Sequence, residues 1–400
     1  MLSTTTLRTT TARRLLASPH PHFVSPLLSL QRTLATAAAE AKQLDQATVK
    51  DASHAAQPTR SFQPHFKDAT PAAQQAAQQQ VAEWKNSRPH ENWVMHHPVY
   101  SEEELKVDIV HVDPKTAGDK VAYFLVWFAR KGFDFVSGYK HASPEAAREA
   151  AAKAGKANLS VDELRKEGYI MSEKEWMARI LFLESIAGVP GFTAGILRHL
   201  RSLRLMKRDG GWINSLLQEA ENERMHLLTF MKIRDPSPFF RLLVLGAQGV
   251  FFNMFFLSYL VSPKSAHRFV GYLEEEACKT YTQLIGAIER GEVPEWDSRQ
   301  ANAKKVPQVA KDYWRLGDDA TMLDLIKAVR QDEAGHRFTN HTLANLKWGE
   351  DFNPVALKHA SPLTQGEKPG WTREESLAWA GKVQEELTGK KPVEGEKREQ

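Results

Sequence analysis

The hexapeptide NERMHL, residues 222–227, decides how this sequence is read. It carries Glu223 and His226, three residues apart, and follows a further acid, Glu221. On a helix such a pair lies one turn apart on one face. The surroundings read as a half-buried helix, because Trp212, Leu216, Ala220, Leu227 and Phe230 form an apolar stripe. Desolvating a carboxylate and an imidazole there is costly unless something pairs with them. A metal ion is one such partner, and an exposed turn is the other reading. The motif alone settles little. With 32 Glu and 15 His in 400 residues, random placement supplies about one Glu-x-x-His. The chain has two, Glu223/His226 and Glu333/His336, so the argument has to come from context.

Bulk composition narrows the classes. The balance of 53 basic and 49 acidic residues gives a formal charge of +4. No basic patch interleaved with aromatics accompanies it, so nucleic acid is not an expected partner. Cys278 is the single cysteine, which excludes a disulfide within the chain and any cysteine-rich metal site. A metal would have to be held by oxygen and nitrogen.

Residues 1–40 read as a mitochondrial or plastid transit peptide. They are rich in Ser and Thr, carry Arg8, Arg13, Arg14 and Arg32, and reach their first acid at Glu40. Cleavage is expected between about 30 and 40. Residues 41–90 are Ala/Gln-rich and read as a flexible arm. A helical body is expected over 91–346 and a loose, charged tail over 347–400. Within the body, helices are expected at 119–139, about 172–203, 212–233, 242–261, 264–290 and 318–346. Ser172 and Glu175 have capping-box spacing, and Pro190 with Gly191 is expected to kink the second of these helices. The Ala-rich insert at about 142–160 is expected to be helix-prone and exposed. No strand-period alternation stands out, so the fold class is all-α.

Acids in apolar helical surroundings then fall into an order. Glu184 is the only charge between Arg179 and Arg198. Glu223 and His226 follow, then Glu274, which opens the acidic triplet of GYLEEEACKTY, then Glu333 and His336 in RQDEAGHR. Glu, Glu-x-x-His, Glu, Glu-x-x-His, one set per helix, is the ligand inventory of a di-iron carboxylate four-helix bundle. Four carboxylates neutralise two divalent irons. Surface salt bridges are the competing reading, and Glu184 has no partner within a turn on its face.

LESIAGVPGF, NERMHL, GYLEEEACKTY and RQDEAGHR closely resemble the signature regions of the alternative oxidases, the cyanide-insensitive mitochondrial ubiquinol oxidases. NWVMHHPVY and the text around 210–231 and 242–277 extend the resemblance over about residues 90–346. It implies a ferritin-like bundle with two additional long helices. It also implies two irons per subunit on Glu184, Glu223, His226, Glu274, Glu333 and His336, and oxidation of ubiquinol with O2 reduced to water and no proton pumping. The family is usually homodimeric and bound to one leaflet of the mitochondrial inner membrane on the matrix side. The resemblance makes Tyr281 the redox tyrosine. It places the quinol pocket at Arg130, Asp134, Arg179, Leu183, Leu273, Glu276, Ala277 and Thr280. Read from the residues alone, Tyr281 is a packed tyrosine, Arg130 and Arg179 are equally snorkelling surface cations, and Asp134 is a helical ion-pair partner of Arg130. Plant members carry a regulatory cysteine in the N-terminal arm. This arm has none, so thiol-switched dimers are not expected. The insert at 142–160 and the RQDEAGHR spelling fit a fungal-type member.

Three readings compete: a plastid plastoquinol oxidase sharing the four motifs, a di-iron quinone-biosynthesis hydroxylase lacking the NERMHL and LEEEA text, and a non-enzymatic ferritin-like iron-binding protein. The segment 242–261 is just long enough to span a bilayer, which takes about 20 apolar residues. Yet Glu223 precedes it and Glu274 follows it. One crossing would separate them by ~30 Å of hydrocarbon. Helices lying along one leaflet are therefore expected, with Arg130, Arg179 and Arg198 facing headgroups.

Overall fold

A computed structural model of the chain describes residues 97–137, 144–356 and 358–389. The expected transit peptide and the arm lie outside the described residues. Among those described there are helices and no strand. They are α1 (Ala117–Ser137), α2 (Pro144–Lys153), α3 (Val161–Lys166), α4 (Glu173–Leu205), α5 (Trp212–Ile233) and α6 (Pro238–Val261). After these come α7 (Pro263–Glu289), α8 (Gln308–Trp314), α9 (Met322–Asn345), α10 (Pro362–Glu367) and α11 (Arg373–Thr388).

Local chemistry sets the ends of the helices. The Glu175 carboxylate accepts from both the backbone N–H and the hydroxyl of Ser172, at 2.7 Å each, which starts α4 where the spacing places it. Ser237 and Ser262 cap α6 and α7, each followed by proline at the first helical position. Between α4 and α5 the chain turns through Gly210 and Gly211 at φ 70° and 84°. A Cβ on Gly211 would lie 2.2 Å from that of Ala356, so the turn also depends on the close approach of the C-terminal segment.

Four long helices form the bundle as two tightly packed pairs, α4 with α5 and α7 with α9. Gly191 lets the first pair close, because a Cβ there would meet the Leu216 carbonyl oxygen at 2.7 Å. α4 is helical without interruption through Pro190. A core of Trp176, Met177, Met225, Phe230, Leu284, Trp296, Trp314, Leu325 and Val329 fills one end of the bundle. Each large side chain buried there contributes roughly 1.5–3 kcal/mol. This packing fixes the helix register at the neighbouring polar centre.

α1 lies on α7, and α6 lies on α4. Both outer helices are unusually bare. α6 buries only Phe255 and Tyr259 and leaves Phe239, Leu242, Leu245, Met254 and Leu257 exposed. α1 exposes Phe124, Trp127 and Phe128. Both α4 and α6 are long and apolar enough to cross a membrane by length and composition, but about half of the α4 window is buried inside the bundle (56%, against 6% for α6). Gln248, which interrupts the apolar run of α6, donates to the Ser185 carbonyl of α4 at 2.6 Å.

Two expectations are corrected. The described part of the segment after 350 is not loose: α10 and α11 pack on α9, with the Trp371 ring 5.0 Å from Phe338 and the fully buried Arg337 donating to the carbonyls of Gln365 and Gly366. Composition misses this because a few tryptophans and backbone carbonyls hold the segment, with no apolar periodicity. The 142–160 insert is not wholly exposed either. Ala147 and Ala151 of α2 form a small core with Leu164 of α3 and Ile170.

Candidate metal centre

Glu184 projects from mid-α4, Glu223 and His226 from α5, Glu274 from α7, and Glu333 and His336 from α9. All six are buried. One ligand-type atom from each of Glu184, Glu223, His226 and Glu333 lies within 4.8 Å of the others. The same holds for Glu223, Glu274, Glu333 and His336. The two groups overlap in Glu223 and Glu333. The side chains that the sequence set out helix by helix therefore meet in one place and divide into two neighbouring sets.

The electrostatics of the cluster call for positive charge. Burial raises the Glu184 carboxyl to about 8. Burial, with Glu333 and Glu223 close by, puts Glu274 well above the ordinary carboxylate range. Burial also opposes ionisation of Glu223, but His336 and His226 outweigh it and hold its pKa low. His336 Nδ1 is 2.7 Å from Glu223 Oε1, and His226 Nδ1 is 3.4 Å from both Glu184 Oε2 and Glu333 Oε1. Glu184 Oε2, both oxygens of Glu223, and Nδ1 of His226 and His336 are buried with no hydrogen bond of acceptable geometry. Buried polar atoms without a well-formed hydrogen bond are rare in folded proteins, and these five converge. Oxygen-rich donors with two imidazoles suit a divalent transition metal, so the residues fit such a group.

Around the centre lies a shell that sequence reasoning missed. His226 Nε2 faces Asp332 Oδ2 at 3.0 Å. This fixes the ring so that Nδ1 turns to the carboxylates. Asn222 and Trp314 donate to the same oxygen. Asp332 stands next to Glu333 in RQDEAGHR and Asn222 opens NERMHL, so both lay in quoted motifs. Adjacent helical residues differ by about 100°, so neither shares the face of the ligand beside it. Glu219, one turn before Glu223, accepts from Asn340 at 2.8 Å, and burial raises its carboxyl to about 7.

The Tyr281 hydroxyl donates to Glu184 Oε1. Burial, with the Glu184 charge beside it, keeps the phenol protonated far above its usual range. Of the other expected residues, Arg130, Asp134, Arg179, Glu276 and Thr280 come together. Arg130 Nε donates to Asp134 Oδ1 at 3.0 Å and its Nη1 to Glu276 Oε2 at 2.6 Å, with Thr280 Oγ1 at 3.4 Å. Arg179 Nη1 is 3.0 Å from Asp134 Oδ1. Leu183, Leu273 and Ala277 are half-buried on the same helices, α4 and α7. None of these eight lines the cavity of about 440 Å³ that reaches Glu184 between α4, α5 and α6, past Gly188, Phe192 and Phe252. The expectation that Arg179 and Arg198 face headgroups is corrected. Arg179 is 2% exposed and lies over the Phe133 ring. Arg198 is buried against Asp209 between Trp212 and Trp348.

A helical bundle with a buried cluster of four glutamates and two histidines defines a protein whose core could hold metal. The alternative oxidase family model matches residues 100–345. The mitochondrial alternative oxidase of Cryptococcus neoformans var. grubii is 54% identical over 296 residues, covering 74% of this chain and 71% of that one. Those of Emericella nidulans and Aspergillus niger are each 50% identical, over 289 and 295 residues, covering 70% and 71% of this chain and 75% and 77% of theirs. The chain belongs to the alternative oxidase family. The family name makes it an oxidoreductase, and these fungal relatives are named as mitochondrial proteins.

Proposed function

We propose that the chain is a di-iron ubiquinol oxidase that reduces O2 to water without pumping protons, at the mitochondrial inner membrane. The convergence in one place of five buried atoms that lack a well-formed hydrogen bond carries the reading. Glu184 and His226 would serve one iron, Glu274 and His336 the other, with Glu223 and Glu333 shared between them, as the two overlapping groups suggest. Bound iron would supply the electron transfer to O2 that no side chain provides alone. Tyr281 holds a proton on its hydroxyl, aimed at Glu184 Oε1. The Arg130, Asp134, Arg179, Glu276 and Thr280 cluster offers charged donors and acceptors for the hydroxyls of a quinol head. Leu183, Leu273 and Ala277 would contribute the apolar wall.

Support for one-leaflet attachment comes from the exposed apolar faces of α1 and α6 and from the partial burial of α4; the matrix side rests on the family resemblance alone. Sinking the carboxylate cluster into lipid would be expensive. A homodimer rests on the family resemblance alone. Oxygen uptake by the purified chain, with ubiquinol and with plastoquinol, in the presence and absence of cyanide, tests the function. Cyanide-insensitive uptake favouring ubiquinol is expected. Preference for plastoquinol would select the plastid-type reading, and iron uptake without quinol oxidation would select a ferritin-like protein.

A further inference from the structure

The motif NWVMHHPVY belongs to the family-like text, yet the site as described gives it no task. Its described part begins at His97 and runs toward α1 as a strap across α9. The first anchors of the strap both end on Asp332. His97 Nε2 is 2.8 Å from Asp332 Oδ1, and the Tyr100 hydroxyl donates to the same oxygen at 2.5 Å. The other oxygen takes His226 Nε2, Asn222 Nδ2 and Trp314 Nε1, at 3.0, 3.0 and 2.8 Å. Asp332 is buried, so five donors satisfy a carboxylate that water does not reach. His97 Nδ1 also lies 2.6 Å from the Pro98 carbonyl oxygen. Both of its ring nitrogens thus face groups that only accept.

We propose that His97 and Tyr100 are positioning residues of the metal centre, acting through Asp332 on His226. The proposal rests on the two-iron reading above. A carboxylate gripped at Oδ1 cannot turn about its Cβ–Cγ bond, so Oδ2 stays on His226 Nε2. That contact sets which ring nitrogen carries the proton and leaves Nδ1 aimed at Glu184, Glu223 and Glu333. Loss of such a partner behind a ligating histidine lowers metal affinity about 10–100-fold. The strap has further anchors: Arg330 to the Leu105 carbonyl, Arg337 to the Asp108 carbonyl, and Glu275 with Val112 N and His111 Nδ1. Removing one hydroxyl at Tyr100 therefore does not free the strap.

The test uses the full chain carrying Tyr100→Phe, His97→Gln or, as a control, His111→Gln. His111→Gln loses an anchor of the same strap without touching Asp332. Iron retention is measured against a graded chelator, and the electron paramagnetic resonance spectrum of the half-reduced iron pair is recorded. Tyr100→Phe is expected to retain iron about tenfold less tightly and to shift the spectrum, His97→Gln to do the same, and His111→Gln to match wild type. In an Asp332→Asn background, Tyr100→Phe is expected to add nothing. Wild-type retention and spectrum in Tyr100→Phe would overturn the proposal and leave the iron pair standing. An equal loss in His111→Gln would overturn it too, by showing that any slackening of the strap suffices. A wild-type chain that takes up no iron pair defeats the underlying reading, and the proposal with it.

Discussion

Tyr281→Phe separates a working hydroxyl from a packed ring. Tyr281 is 3% exposed, with its ring 6.4 Å from that of Phe230, and its hydroxyl donates to Glu184 Oε1. Phenylalanine fills the same space without the oxygen, so no cavity larger than that atom opens. With metal holding Glu184 ionised, the stability cost is the lost bond to a charged acceptor, about 1.5–3 kcal/mol. In a body of this size that corresponds to a Tm fall of only several degrees. Glu184 keeps its helix position, and the other five metal-facing side chains are untouched. Function should respond much more strongly. Reduction of O2 to water takes four electrons and each quinol delivers two, so two quinols are needed; a phenol beside the centre could lend one of those electrons and one proton until quinol restores them. A positioned proton donor alone contributes about 10²–10⁴-fold. Oxygen uptake with ubiquinol, iron content and a circular-dichroism melt are measured on one preparation. The expected result is full iron, a small Tm change and at least a hundredfold loss of turnover. Uptake within twofold of wild type would refute this reasoning and leave Tyr281 as packing.

Other outcomes follow from the same geometry. Glu184→Ala is expected to abolish oxidase activity, since three carboxylates do not replace four around two divalent ions; a variant keeping a large share of activity would remove Glu184 from the ligand set. Gly191→Val should prise α4 from α5, because its first carbon already meets the Leu216 carbonyl at 2.7 Å; a cost of several kcal/mol in denaturant unfolding is expected, and an unchanged midpoint would contradict the close packing. Cysteines introduced at exposed positions along α1, α4 and α6 should label in sealed inner-membrane vesicles from the matrix side only, and labelling of any of them from the opposite side would overturn attachment to one leaflet.

Much of this site was legible because helices make chemistry periodic. Buried acids one turn from a histidine, repeated in order along four apolar helices, carry their own geometry, and the six side chains meet as that order implies. The long helices were legible for the same reason, with ends within a few residues. Asp332 escaped because it lies about 100° around α9 from Glu333, and its role depends on His97 and Tyr100, more than 200 residues away. The C-terminal helices escaped because Trp371 and the carbonyls that Arg337 grips leave no period in the sequence. Arg179 and Arg198 show the limit for charge. Spacing cannot tell a cation that reaches into headgroups from one folded over Phe133 or between Trp212 and Trp348.

The central claim is that six buried side chains hold a pair of irons, and metal stoichiometry tests it most directly. After gentle reconstitution with ferrous iron and removal of the excess, two irons per chain are predicted for wild type. One iron per chain, or none, would contradict the account.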